Sequence, residues 1–367
     1  MSNLASALRI SVVLLFAVAF LAGCAGYYLQ AAAGQASLMR ASVPVGKVLA
    51  DPATPETLRQ QLLLVDTALL FAHRELALPP TRSYRQYADL GRPYVVWNVF
   101  AAPEFSLEPR EWCYPIAGCT TYRGWFSEER ARASAARLEG RGDDVFVGGV
   151  AAYSTLGWFA DPVLNTMLGD NDADLAGLLF HELAHQRVYV QGDTLFNEGF
   201  ATLVEEEGTR RWLESRNDTT GLCRLQLRQF RREAVLTLMA DLRTQLAVVY
   251  ASEDSIEWRR QQRDALFEQA RSSYARLRGD WVEPPWFDRW FEPGLNNARL
   301  AALASYEDYV PAFRVLLARE GGELARFYAS VEALGKREPE ARELAVKELL
   351  LQVPASLSGA PTSGNCP

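Results

Sequence analysis

Only three histidines occur in 367 residues, and two of them, His181 and His185, stand four apart with Glu182 between them in the run FHELAHQRVYVQGDTLFNEGFAT, residues 180–202. On a helix, positions i and i+4 share a face, so both imidazoles can reach one ion, while Glu182 turns roughly 100° away. Two neutral nitrogens suit zinc, and a carboxylate beside an open coordination position is a general base for a metal-activated water. Glu198 begins a second helical face that repeats at Thr202 and Glu205, and a glutamate from a following helix can complete such a ligand set. The bland alternative is that both histidines hydrogen-bond inside a core. The third histidine, His73, sits in an apolar helix and reads as a packed residue, so any further protein ligand must be a carboxylate or a cysteine.

Stretches flanking these groups must hold them. DNDADLAGLLFHELAHQRVYV opens with three acids, where a helix N-terminus favours them, and is then apolar nearly all round, which predicts a buried helix. After the break VQGDT, LFNEGFATLVEEEGTRRWLESR reads as a second helix. Earlier, residues 54–77 show apolar spacings of three and four and form a helix. PYVVWNVFAAPEF, YPIAGCTTYRGWF and DVFVGGVAAYST are rich in Val, Tyr, Phe and Trp and read as strands, with a helix over SEERARASAARLEG. The fold class is therefore α+β: a small mixed sheet region, about 90–155, followed by a mostly helical body, about 172–354. With no linker and no internal repeat, residues 24–354 are expected to form a single body, followed by a disordered tail at 355–367.

The first residues set the compartment. Arg9 precedes the apolar run ISVVLLFAVAFLAGC, too short for a comfortable span and ending in small residues, as secretory signals do. Leu21, Ala22, Gly23 and Cys24 resemble a bacterial lipobox, which implies removal of residues 1–23, lipidation of Cys24 and a cell-envelope location. With Ala25 following, the periplasmic face of the outer membrane is implied. No second stretch is expected to span. Removing residues 1–23 takes away one positive charge, so the net charge moves from −7 to −8. An acidic body is a poor phosphate binder, which argues against nucleic acid as a partner. In an oxidising periplasm Cys113 and Cys119 are close enough in sequence to form a disulfide. Cys223 and Cys366 stay unassigned, and no oligomeric state follows.

HELAHQ followed by NEGFA resembles the gluzincin metallopeptidases, the thermolysin and aminopeptidase N groups. With YYLQAAAGQ, RPYVVWNVFAAPEFSLEP, AYSTLGWFADPVLNT and LNNARLAALASYEDYVPAF, nearly the whole mature chain resembles a bacterial lipoprotein family named for aminopeptidase activity. The resemblance implies a gluzincin-like body and one zinc ion per chain held by His181, His185 and Glu198, with Glu182 as the catalytic base. It also implies a tyrosine as oxyanion donor, for which Tyr306 is preferred over Tyr250, Tyr274 and Tyr309. An edge strand in VFVGGVAAYSTLGW would pair with a peptide substrate through Ala151, Ala152 and Tyr153.

Two departures qualify what the resemblance implies. The stretch from His185 to Glu198 is shorter than usual, and Glu205 fits the usual count but lacks the preceding asparagine. A tight turn at Gly192 would return Glu198 to the metal and leave Glu205 or Thr202 to orient a histidine. The substrate strand also lacks the acid that holds a free amine in the aminopeptidase N group, a role open to Asp161. The expected function is a membrane-anchored zinc peptidase of aminopeptidase type. The alternatives are an endopeptidase acting on envelope proteins, or a non-catalytic peptide-binding lipoprotein that keeps the fold.

Overall fold

In the computed structural model, residues 26–114, 118–169, 171–279, 281, 287–291 and 294–353 are described. The expected signal segment 1–23, Cys24, Cys366 and the expected tail 355–367 lie outside them. Helix α1 (26–41) is followed by strand β1 (Val43–Pro44), helix α2 (Val45–Ala50) and helix α3 (Glu56–Glu75). Leu62, Val65, Leu69 and Ala72 repeat at helical spacing along α3, and all are buried. That stripe is why the segment docks instead of floating free. His73 lies off the stripe. It is exposed, against the expectation of a packed residue, with Nδ1 3.2 Å from the Leu78 carbonyl oxygen.

The sheet region holds β2 (Gln86–Ala88), β3 (Val96–Pro103), β4 (Trp112–Tyr114), β5 (Gly118–Thr120), β6 (Arg123–Trp125), helix α4 (Glu128–Glu139), β7 (Asp143–Val150) and β8 (Val163–Leu164). One sheet has the order β6-β3-β7 and is antiparallel, from Val96 opposite Val150 to Pro103 opposite Asp143. Its central strand β3 alternates as a two-residue period demands. Trp97 and Val99 pack with Ala131 and Ala135 of α4, and Phe100 enters a different cluster. β7 is an edge of this sheet and ends at Val150. Ala151, Ala152 and Tyr153 therefore lie past the strand, which corrects their expected place on it. β1, β2 and β8 form a second small sheet, and β4 pairs with β5 through opposed Cys113 and Cys119, joined in a disulfide.

Helices dominate the rest: α5 (Asp172–Arg187), α6 (Thr194–Ser215), α7 (Thr219–Ala251), α8 (Ile256–Arg278), α9 (Asn297–Glu307), α10 (Val310–Arg319), α11 (Leu324–Gly335) and α12 (Pro339–Leu350). The protein is α+β, mainly helical with small sheets. The largest core joins α3, α5, α6, α10, α11 and α12, with Phe180, Phe196, Phe200, Phe313 and Phe327 fully buried. Each such ring contributes roughly 1.5–3 kcal/mol, so α5 and α6 sit in the best-packed part of the molecule. A second cluster joins Phe100 to α7, α8 and α9.

By length and composition α7 could cross a membrane, against the expectation that no second stretch is long and apolar enough to do so. In this fold it lies against α8 and α9, and its Arg243 pairs with Asp308 at 2.8 Å.

Candidate metal centre

α5 starts at Asn171, whose side chain accepts from Ala173 N, with Asp172 and Asp174 in the first turn. Apolar residues surround it on every side, and His181, Glu182 and His185 are drawn into the interior with it, each at most 9 % exposed. The helix stops at Arg187, two residues after His185. A six-residue turn, 188–193, then leads into α6. Gly192 takes φ +79° there, a conformation that favours glycine. Asp193 caps α6 by accepting from Phe196 N at 3.1 Å and is itself held by Arg342 at 2.7 Å. Asn197 clamps the turn in both directions, donating to Val190 O and accepting from Val190 N, each at 2.7 Å.

The early stop and clamped turn explain the short spacing. α6 runs back along α5, so that Glu198 meets His185 and His181, and Glu205 meets His181 one level further on. His181 Nε2 and His185 Nε2 are 3.2 Å apart, and Glu198 Oε2 lies 3.4 Å from the first and 3.8 Å from the second. A tetrahedral zinc with bonds of about 2.0–2.1 Å spaces its donors about 3.3 Å apart, so these three atoms fit that ion. Glu205 Oε2 lies 3.0 Å from His181 Nδ1, on the far side of the ring. A proton on Nδ1, donated to that carboxylate, leaves the Nε2 lone pair facing the other donors. Nδ1 of His185 is buried and has no hydrogen-bond partner among the described residues. A second cluster, Glu111 with Cys113 and Cys119, has its sulfurs joined to each other.

Electrostatics separates the roles. Burial pushes the Glu182 carboxyl up to about 7, which His181 opposes and the charges of Glu198, Asp161 and Glu205 reinforce. Burial pushes His185 down to about 4, so that imidazole is neutral near pH 7, as a ligand must be. Burial also acts against charge on His181, but its contacts with Glu198 and Glu205 outweigh this and raise it well above the ordinary value. For Glu198 and Glu205 burial again opposes charge, and His181 outweighs it, so both carboxyls fall below the ordinary range. Behind them Arg232 donates to Glu307 at 2.8 Å and pairs with Glu206, which Arg314 also holds at 2.8 Å. Thr202 is buried on α6, and no hydrogen bond joins it to either histidine among the described contacts.

The other expected residues are more scattered. Asp161 is buried and close enough to Glu182 to affect it, but Thr155 donates to its carboxylate from both N and Oγ1 at 2.8 Å. Ala151 O accepts from Thr166 Oγ1 at 2.5 Å, Ala152 is buried, and Tyr153 stacks edge-on against Phe126. Tyr306 belongs to α9, and its side chain lies outside the described residues. Tyr250 donates to Asn297 and Tyr274 to Asp288, each committed elsewhere. Tyr309 packs against α6 at Gly199, beside Glu198.

Two tyrosines escape sequence reasoning. Tyr84 is 2 % exposed with φ +65°, and burial first, then Glu182 and Asp161, raise its pKa well above normal. Tyr189 places its ring 6.3 Å from that of His185. No residue pattern announces Tyr84. Tyr189 could be found by continuing the i, i+4 series from His181 and His185.

No curated protein and no solved structure shows a significant match to the chain. Residues 26–346 match the family described as "Putative aminopeptidase", and over that span, most of its length, the chain belongs to this family.

Proposed function

We propose that the protein is a zinc-dependent peptidase with a gluzincin-like site, tethered to the cell envelope through acyl chains on Cys24. One observation carries the reading: His181, His185 and Glu198 bring three donor atoms within 4.8 Å of one another in a buried setting. Family membership supports peptide-bond hydrolysis. Two nitrogens and one carboxylate oxygen suit zinc among divalent ions.

When bound, zinc would supply Lewis acidity toward the scissile carbonyl and toward a water. His181, His185 and Glu198 would hold it, and Glu205 would fix the His181 ring through Nδ1. Glu182 would take a proton from the attacking water and return it to the leaving amine, the general-base task of a carboxylate beside the proposed ligands. The open edge of β7 binds the substrate backbone as an added strand.

The test is metal analysis of the purified protein beside His185→Ala and Glu182→Gln. About one zinc per chain is expected, lost in His185→Ala and kept in Glu182→Gln, whose peptide cleavage falls by roughly 10²–10⁴. A reconstituted wild type without zinc would sink the reading. Membrane retention lost in Cys24→Ala tests the anchor. Endopeptidase action is the second reading, favoured by the engagement of Asp161 with Thr155, which leaves that acid a poor holder of a free amine. Cleavage of N-terminally blocked peptides at the rate of free ones would decide for it.

A further inference from the structure

Soon after β7 the chain forms a tight loop, 154–161, that displays two aromatic rings to solvent: Trp158 is 81 % and Phe159 48 % exposed. Asp161 organises the loop by accepting from Thr155 N and Oγ1. Phe159 N donates to Thr155 Oγ1 at 3.1 Å, and Trp158 N to Thr155 O at 3.0 Å. Leu156 and Gly157 take φ +55° and +80°, and a leucine in that region is strained. The foot of the loop is tied down as well, Asp161 N donating to Ser83 Oγ at 3.2 Å and Tyr84 N to Asp161 O at 2.6 Å. Backbone strain and a buried carboxylate thus hold two large apolar rings in water, an arrangement suited to gripping a ligand.

The location says which ligand. Gly157 faces the side chain of Gln186, the residue after His185, and Tyr189, 46 % exposed, lies beside the His185 ring. The loop also follows the open edge strand β7 by only a few residues. We propose that Trp158 and Phe159, with Tyr189, form a subsite gripping a large apolar side chain of the peptide at the metal centre. The substrate class is then peptides with an aromatic or long aliphatic residue next to the cut. The inference rests on the peptidase reading above. A bilayer is a poor occupant, because residues 151–162, AAYSTLGWFADP, carry no Lys or Arg and the whole chain has a net charge of −7.

The experiment compares the zinc-loaded full chain with Trp158→Ala, Phe159→Ala and Trp158→Phe on peptide pairs that differ only in Phe or Ala beside the cut. For either alanine variant kcat/KM on the Phe peptide falls about tenfold or more and on the Ala peptide less than about twofold, while Trp158→Phe keeps most of the selectivity. Zinc content and thermal midpoint stay as in wild type. An equal fall on both peptides, or none, overturns the subsite while leaving the peptidase reading intact. If wild type cleaves nothing, that reading fails, and calorimetry of peptide binding to the zinc-loaded protein judges the subsite. Weaker binding of the Phe peptide alone by Trp158→Ala supports it, and equal binding overturns it. Unchanged selectivity with loss of vesicle co-sedimentation in Trp158→Ala assigns the rings to a membrane and also overturns it.

Discussion

Glu182 is a carboxylate placed where a carboxylate is costly. Burial raises its pKa to about 7, while unfolded it titrates near 4.5. Between those values the folded state binds more protons, so the stability contributed by this group falls as pH rises through the window. In chelated protein, Glu182→Gln should therefore stabilise relative to wild type, by about 2 kcal/mol more at pH 8 than at pH 5. Every other ionisable group is common to both proteins, so the comparison is made variant against wild type at each pH, by urea unfolding. A pH-independent difference would mean that Glu182 is not confined as described. His181, Glu182 and His185 are legible in sequence because histidine is scarce and one helical spacing aligns two of them. Tyr84 is not, since it reaches Glu182 through a left-handed backbone and a long-range fold.

At the scale of elements, the proposed ligand set depends on where α5 stops and how closely α6 approaches its neighbours. The sequence leaves Glu198 and Glu205 in competition because spacing is measured along the chain. The fold brings both to His181, Glu198 facing Nε2 and Glu205 facing Nδ1, through the Asn197 clamp and the turn at Gly192. Gly199, next to Glu198, shows how little slack remains. A Cβ there would lie 2.9 Å from Tyr309 Cβ and 3.3 Å from its backbone carbon at the entry to α10. Helix propensity alone makes Gly199→Ala stabilising by about 1 kcal/mol, but overpacking against a backbone costs about 1–3 kcal/mol. The clash should win. Urea unfolding of chelated protein is expected to give a net loss, and competition with a chelator a weaker zinc affinity, because α6 shifts with Glu198 on it. A net gain would show that α10 yields freely and that this contact does not set the ligand geometry.

Across the whole molecule, stability is divided between two large cores, and the proposed metal ligands belong to only one. α5 and α6 sit among α3 and α10 to α12, whereas the sheet strand β3 reaches through Phe100 into the cluster of α7, α8 and α9. Composition foretells the sheet-rich front and the helical back, because strand and helix residues differ in kind. It does not foretell which helices share a core, since an all-round apolar helix such as α5 offers no preferred face. The proposed zinc at α5 and α6 would then be a local tie with global consequences. Free zinc at a thousand times its dissociation constant adds about 4 kcal/mol to the folded state, so chelation should lower the thermal midpoint by several degrees. Backbone amides should respond unevenly in hydrogen exchange. Val190 and Asn197, in and beside the turn, should lose protection first, since the turn is held by one side chain and by helices that the proposed metal would tie together. Amides of β3, paired on both sides, should keep theirs under conditions where the chain remains folded. Equal loss in β3 and in the turn would mean that the two cores unfold as one, and the site would then be a keystone of the entire chain instead of a tie within half of it.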